Sequence, residues 1–90
     1  MHPRKPSIKG AANKSRDNRE ALENSGLCGC YYCEETFSPS EITKWVGEDN
    51  NGVGQTALCP RCNIDSVLGD SQGIDLSPES LKRLRRAWFW

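Results

Sequence analysis

Large apolar side chains are sparse over the first quarter of the chain and gather after it. Between Met1 and Ser25, Ile8 and Leu22 are the only large aliphatics, set among Lys, Arg, Asn, Ser, Gly and Pro. Such a stretch has too little apolar surface to offset the entropy of ordering itself. The pattern therefore predicts a flexible basic arm over residues 1–25 and a compact domain over residues 26–90. A short helix over Lys14 to Glu23 is compatible with opposite charges at helical spacing, but each such pair contributes only about 0.3 kcal/mol.

Within the domain the same helix-start punctuation occurs twice. Phe37-Ser38-Pro39-Ser40-Glu41-Ile42 combines a serine N-cap, proline at the first helical position, glutamate at the third and an apolar pair placed to staple across the cap. Ile42, Trp45 and Val46 would share one face and Gly47 would end the turn, so the spacing predicts a helix over about 39–46. Leu76-Ser77-Pro78-Glu79 opens a second helix, with Leu81, Leu84 and Trp88 as its buried stripe and Leu76 to Leu81 as its staple. Between them, Glu48 to Gly54 has the composition of an exposed turn, and Gln55 to Leu58 reads as a strand. Asn63 to Leu68 alternates and fits either a strand or a helical turn.

Four of the five cysteines form two close pairs, Cys30-Tyr31-Tyr32-Cys33 and Cys59-Pro60-Arg61-Cys62. A repeated C-x-x-C is the ligand pattern of a tetrahedral zinc site, because two cysteines that flank a tight turn can both reach one ion. The metal ligands expected are Cys30, Cys33, Cys59 and Cys62, holding one structural Zn²⁺. The spacer from Glu34 to Leu58 exceeds the common length and must contain elements of its own.

The competing reading is a secreted disulfide framework, which calls for an even cysteine count and an export signal. The count is five, and Met1 to Pro6 is polar and proline-broken, so a reducing cytoplasmic location is expected. No apolar run is long enough to span a membrane. Cys28, two residues before Cys30, is expected as a free or loosely associated thiol, with an alternate ligand or redox role as the other reading.

With a hydrophobic share of 36%, a metal staple would supply much of the folding energy of so small a domain. The formal charge is zero, but the ends are basic and the middle acidic. A tetrathiolate site deepens that contrast, with Lys44 and Arg61 nearby to offset it.

Residues Cys28-Gly29-Cys30-Tyr31-Tyr32-Cys33, Phe37 to Ile42 and Leu58-Cys59-Pro60-Arg61-Cys62-Asn63-Ile64-Asp65-Ser66-Val67 resemble a group of small bacterial cytoplasmic proteins. Those share a C-G-C-aromatic-Y-C element, an F-x-P-x-E-I start and a C-P-x-C-x-I-D-S-V element, and the likeness spans about residues 28–90. It implies a zinc-binding fold of the treble-clef or zinc-ribbon class; with the elements read above, the expected fold is a small α+β domain with two short helices and a few short strands. It implies no activity. Treble-clef relatives include HNH nucleases, but their chemistry needs a histidine base, and the only histidine here is His2. Four cysteines also leave no open metal position for water. No enzyme activity and no small-molecule substrate are therefore expected, and a degenerate, inactive nuclease relative is the third reading.

The first reading is a non-catalytic adaptor or regulator that binds another protein. The residues proposed for its interaction surface are Lys82, Arg83, Arg85, Arg86, Trp88 and Trp90, where aromatics lie beside arginines. Nucleic-acid binding by the basic arm and last helix is second, since Lys82 to Arg86 could follow a phosphate backbone. Against it, basic residues in a helix's last turns are common for dipole reasons alone. Tyr31 and Tyr32, inside the first cysteine pair, are expected to direct their rings outward from the metal, toward the core or a partner.

Overall fold

The computed structural model describes residues 14–88. They form a small α+β domain built around a short strand that is buried along its whole length. This strand, β1 (Cys28–Cys30), pairs antiparallel with β2 (Thr36–Phe37) on one side and β5 (Val67–Gly69) on the other. Cys28 faces Phe37 and Gly69, and Cys30 faces Val67. A separate hairpin joins β3 (Trp45–Glu48) to β4 (Gly54–Ala57), with Trp45 opposite Ala57. Its loop closes on one carboxylate, since Asp49 Oδ1 accepts the amides of Asn51 and Val53 at 2.9 and 3.0 Å.

The alternation of side chains along β1 and β5 divides the core in two. Cys28, Cys30 and Val67 lie in one cluster with Leu22, Phe37, Ile42, Ala57 and Cys59. Leu68 and Tyr31, one residue along, lie in the other with Ile74, Leu76, Leu81 and Leu84. The second cluster seats the long helix α2 (Pro78–Trp88), whose Leu81 and Leu84 are buried as the spacing predicts. Ser77 caps it, its Oγ accepting the Ser80 amide at 3.3 Å. Trp88 departs from the predicted stripe and is 41% exposed.

Two expectations are corrected. The predicted helix over 39–46 is a single 3-10 turn, Pro39–Glu41. Its capping box forms, with the Ser38 amide donating to Glu41 Oε2 at 3.0 Å, and Phe37 and Ile42 are both buried. The chain then becomes extended, because the β-branched and aromatic residues up to Val46 find a partner strand in β4. Gly47 has the left-handed φ of 69° expected of it, but inside a strand.

The second correction concerns the arm over residues 1–25, because residues 14–25 pack onto the domain. They include the helix α1 (Arg19–Glu23), whose Leu22 is fully buried. Asn18 donates through Nδ2 to the Val67 carbonyl at 2.9 Å. The Arg19 guanidinium lies 4.5 Å from the Trp45 ring centre and donates to the Gly54 carbonyl at 2.9 Å. The first half of the predicted arm lies outside the described residues.

Candidate metal centre

The two C-x-x-C segments fold as near copies of each other. In the first, the Glu34 amide donates to the Cys30 carbonyl at 2.8 Å and the Cys30 amide to the Glu35 carbonyl at 3.0 Å. In the second, the Asn63 amide donates to the Cys59 carbonyl at 2.9 Å and the Cys59 amide to the Ile64 carbonyl at 2.9 Å. The residue that follows each pair is left-handed, Glu34 at φ 65° and Asn63 at φ 70°. Neither is glycine, and a β-carbon there costs energy that the closed turn must offset. Each turn also directs an amide at its leading sulfur: Tyr32 N–H to Cys30 Sγ and Arg61 N–H to Cys59 Sγ, both at 3.3 Å.

These turns bring all four predicted sulfurs together. Cys30, Cys33, Cys59 and Cys62 have their Sγ atoms within 4.8 Å of one another and form a group that could hold a metal ion. Across the two turns, Cys30 and Cys62 Sγ are 3.7 Å apart, as are Cys33 and Cys59 Sγ. A disulfide needs about 2.05 Å, and all five cysteines are free. The leading Cys30 and Cys59 are buried, while Cys33 and Cys62 are half-buried.

The electrostatics of the group favour a single thiolate. Burial opposes the Cys30 thiolate, yet hydrogen bonds from the Ser66 hydroxyl and the Cys33 and Tyr32 amides bring its pKa below the ordinary thiol value. The Ser66 oxygen is fully buried and 3.0 Å from Cys30 Sγ. Burial, with the Cys30 charge added, pushes Cys33 up to about 11 against an opposing hydrogen bond from the Glu35 backbone amide. Cys62 is also raised, by burial and then by the Cys30 charge, despite a hydrogen bond from the Ile64 backbone amide. One thiolate is thus welcome and the next are resisted; a divalent ion reverses that balance.

Cys28 stands apart from this group. It is fully buried in the first cluster, and burial, then the Asp70 charge, pushes its thiol up to about 11. Among the predicted interaction residues, Lys82, Arg83 and Arg86 are exposed, and Trp90 lies outside the described residues. At about 100° per residue those three basic positions share the face of α2 opposite Leu81, Leu84 and Trp88, so they and Trp88 do not form one patch. Arg85 is half-buried over the Tyr32 ring, 4.7 Å from its centre. Arg61 pairs with Glu41 at 2.9 Å. Tyr31 is buried with its hydroxyl 3.3 Å from Ser15 Oγ, and Tyr32 is half-buried.

The fold and site thus define a small α+β domain with a four-cysteine cluster suited to a metal ion. Comparison with protein-family models, with curated proteins and with solved structures found no match. No helix among the described residues is long and apolar enough to cross a membrane.

Proposed function

We propose that this chain is a non-catalytic zinc module of treble-clef or zinc-ribbon type, closed by one structural Zn²⁺ on Cys30, Cys33, Cys59 and Cys62, that acts as a protein-interaction adaptor or regulator. The observation that carries the metal assignment is the sulfur spacing. A tetrahedron with Zn–S bonds of about 2.3 Å has S···S edges of about 3.8 Å, and the two cross-turn edges are 3.7 Å. Four thiolates fill a tetrahedral zinc, so the ion has a structural role and no site for a reacting water.

The interaction role is supported by large apolar side chains that are partly exposed, Val46 and Val53 of the hairpin region at 43% and 42% and Trp88 at 41%. A second reading, nucleic-acid binding, is favoured by the exposed Lys82, Arg83 and Arg86 on one face of α2. Metal-loaded chain passed over heparin separates the two. The adaptor predicts weak retention and a stoichiometric complex with one defined protein that Trp88→Ala or Val46→Ser disrupts. Nucleic-acid binding predicts retention that falls steeply with salt; that result would displace the adaptor.

A further inference from the structure

The position two residues into each cysteine turn is associated with an arginine, but by different routes. In the second turn it is Arg61 itself, whose amide donates to Cys59 Sγ. In the first it is Tyr32, which carries no charge and is instead covered by Arg85 from α2. The Arg85 guanidinium stacks on the Tyr32 ring at 4.7 Å, and its Nη1 donates to the Tyr32 carbonyl oxygen. That carbonyl belongs to the same peptide group as the Cys33 amide, which donates to Cys30 Sγ at 3.5 Å.

Guanidinium, peptide and sulfur are therefore connected through successive hydrogen bonds. A cation on a carbonyl oxygen polarises the amide and strengthens its N–H as a donor, so positive charge on α2 is delivered to the Cys30 sulfur 55 residues before it in the chain. A zinc tetrathiolate carries a net charge of about −2, and outer-sphere hydrogen bonds of this kind tune metal affinity. We propose that Arg85 is an outer-sphere positioning residue of the metal centre, stabilising the metal-bound Cys30 thiolate through the Tyr32–Cys33 peptide. This rests on the metal reading above and goes beyond it. It takes Arg85 out of the predicted interaction surface and makes α2 part of the site. Arg86, the next residue, faces solvent and serves as the control.

The test measures Zn²⁺ affinity by competition with a chromogenic chelator, and the thiolate-to-metal charge-transfer band of the Co²⁺-loaded chain, for wild type, Arg85→Gln, Arg85→Lys and Arg86→Gln. Arg85→Gln is expected to weaken zinc binding about tenfold and to shift the cobalt band. Arg85→Lys should recover part of both, because the charge remains but the planar fork is lost. Arg86→Gln should match wild type. An Arg85→Gln chain that melts earlier, yet keeps wild-type affinity and cobalt spectrum, would show a role confined to holding the helix and would overturn the proposal. Failure of the wild type to bind either metal would overturn the metal reading as well, whereas normal wild-type binding with an unaffected Arg85→Gln overturns this inference alone.

Discussion

Leu22 gives the sharpest test of where the domain begins. It is fully buried in the cluster that includes Cys28, Cys30, Cys59 and Val67. Its Cδ2 lies so close to β5 that a β-carbon on Gly69 would come within 2.8 Å of it. Truncation to alanine removes buried methyl groups and leaves a cavity that short, hydrogen-bonded α1 cannot collapse to fill. Such a change costs about 2–5 kcal/mol. Taking about 3 kcal/mol, at about 4–8 °C per kcal/mol for a domain of this size, Tm should fall by roughly 12–24 °C. The assay is thermal unfolding followed by circular dichroism at saturating zinc, so that metal dissociation does not limit the transition. Gly69→Ala should also destabilise, by about 1–3 kcal/mol of overpacking, and by less in the Leu22→Ala background, where one obstructing group is gone. If Leu22→Ala moved stability by less than about 0.5 kcal/mol, as for an ordinary surface site, residues 14–25 would be a detached arm and the packing described for them would be wrong.

Three further outcomes are expected. Because burial raises the Cys28 thiol from 9.0 to about 11, the native state holds that proton over a range where the unfolded chain has lost it. Stability from this group is therefore complete below about pH 9 and declines as pH rises toward 11. Denaturant midpoints of zinc-loaded chain at pH 8 and pH 10.5 should show a smaller fall for Cys28→Ala than for wild type; equal falls would remove Cys28 as the cause. Ser66→Ala, which deletes the hydroxyl 3.0 Å from Cys30 Sγ, should weaken zinc binding about tenfold in chelator competition, and unchanged affinity would mean that the hydroxyl does not donate to the bound thiolate. Gly54→Ala would drive a β-carbon to within 2.6 Å of the Trp45 carbonyl oxygen, which is backbone and cannot move aside. A loss of about 2 kcal/mol or more and a changed Trp45 environment by fluorescence are expected, and a neutral result would contradict the hairpin register.

The candidate centre was legible because its information is local. Two residues between cysteines set a turn, and that turn is what places Cys30 beside Cys33 and Cys59 beside Cys62. What brings the two turns face to face is less local, since it depends on β1 pairing with β5 through Cys30 and Val67. The two helix-start signals show the limit of local reading. Both Ser38 and Ser77 cap a turn, yet only the second helix propagates. After Ser77 come Leu, Lys and Arg, which favour helix. After Ser38 come Ile42, Thr43, Trp45 and Val46, which favour strand, and the cap's contribution of about 1 kcal/mol is outweighed by pairing with β4.

Residues 14–25 were illegible for another reason. Their buried members other than Leu22 are Ser15, Asn18 and Ser25, which polarity would assign to solvent. They are buried because they hydrogen-bond across the fold, Asn18 to the Val67 carbonyl and Ser25 Oγ to the Ser71 amide at 3.1 Å. A sequence shows that such groups need partners without showing where the partners lie. The role of Arg85 was hidden likewise: a basic residue near a helix end looks like any other until Tyr32 is seen beneath it.

Native mass spectrometry of the purified chain, before and after chelation, with alkylation mapping of each state, tests the metal centre most directly. The account predicts a single zinc per chain, with Cys30, Cys33, Cys59 and Cys62 protected until the chelator removes it and reactive afterwards. A metal-free chain in which those four thiols react freely, or are joined as disulfides, would contradict it.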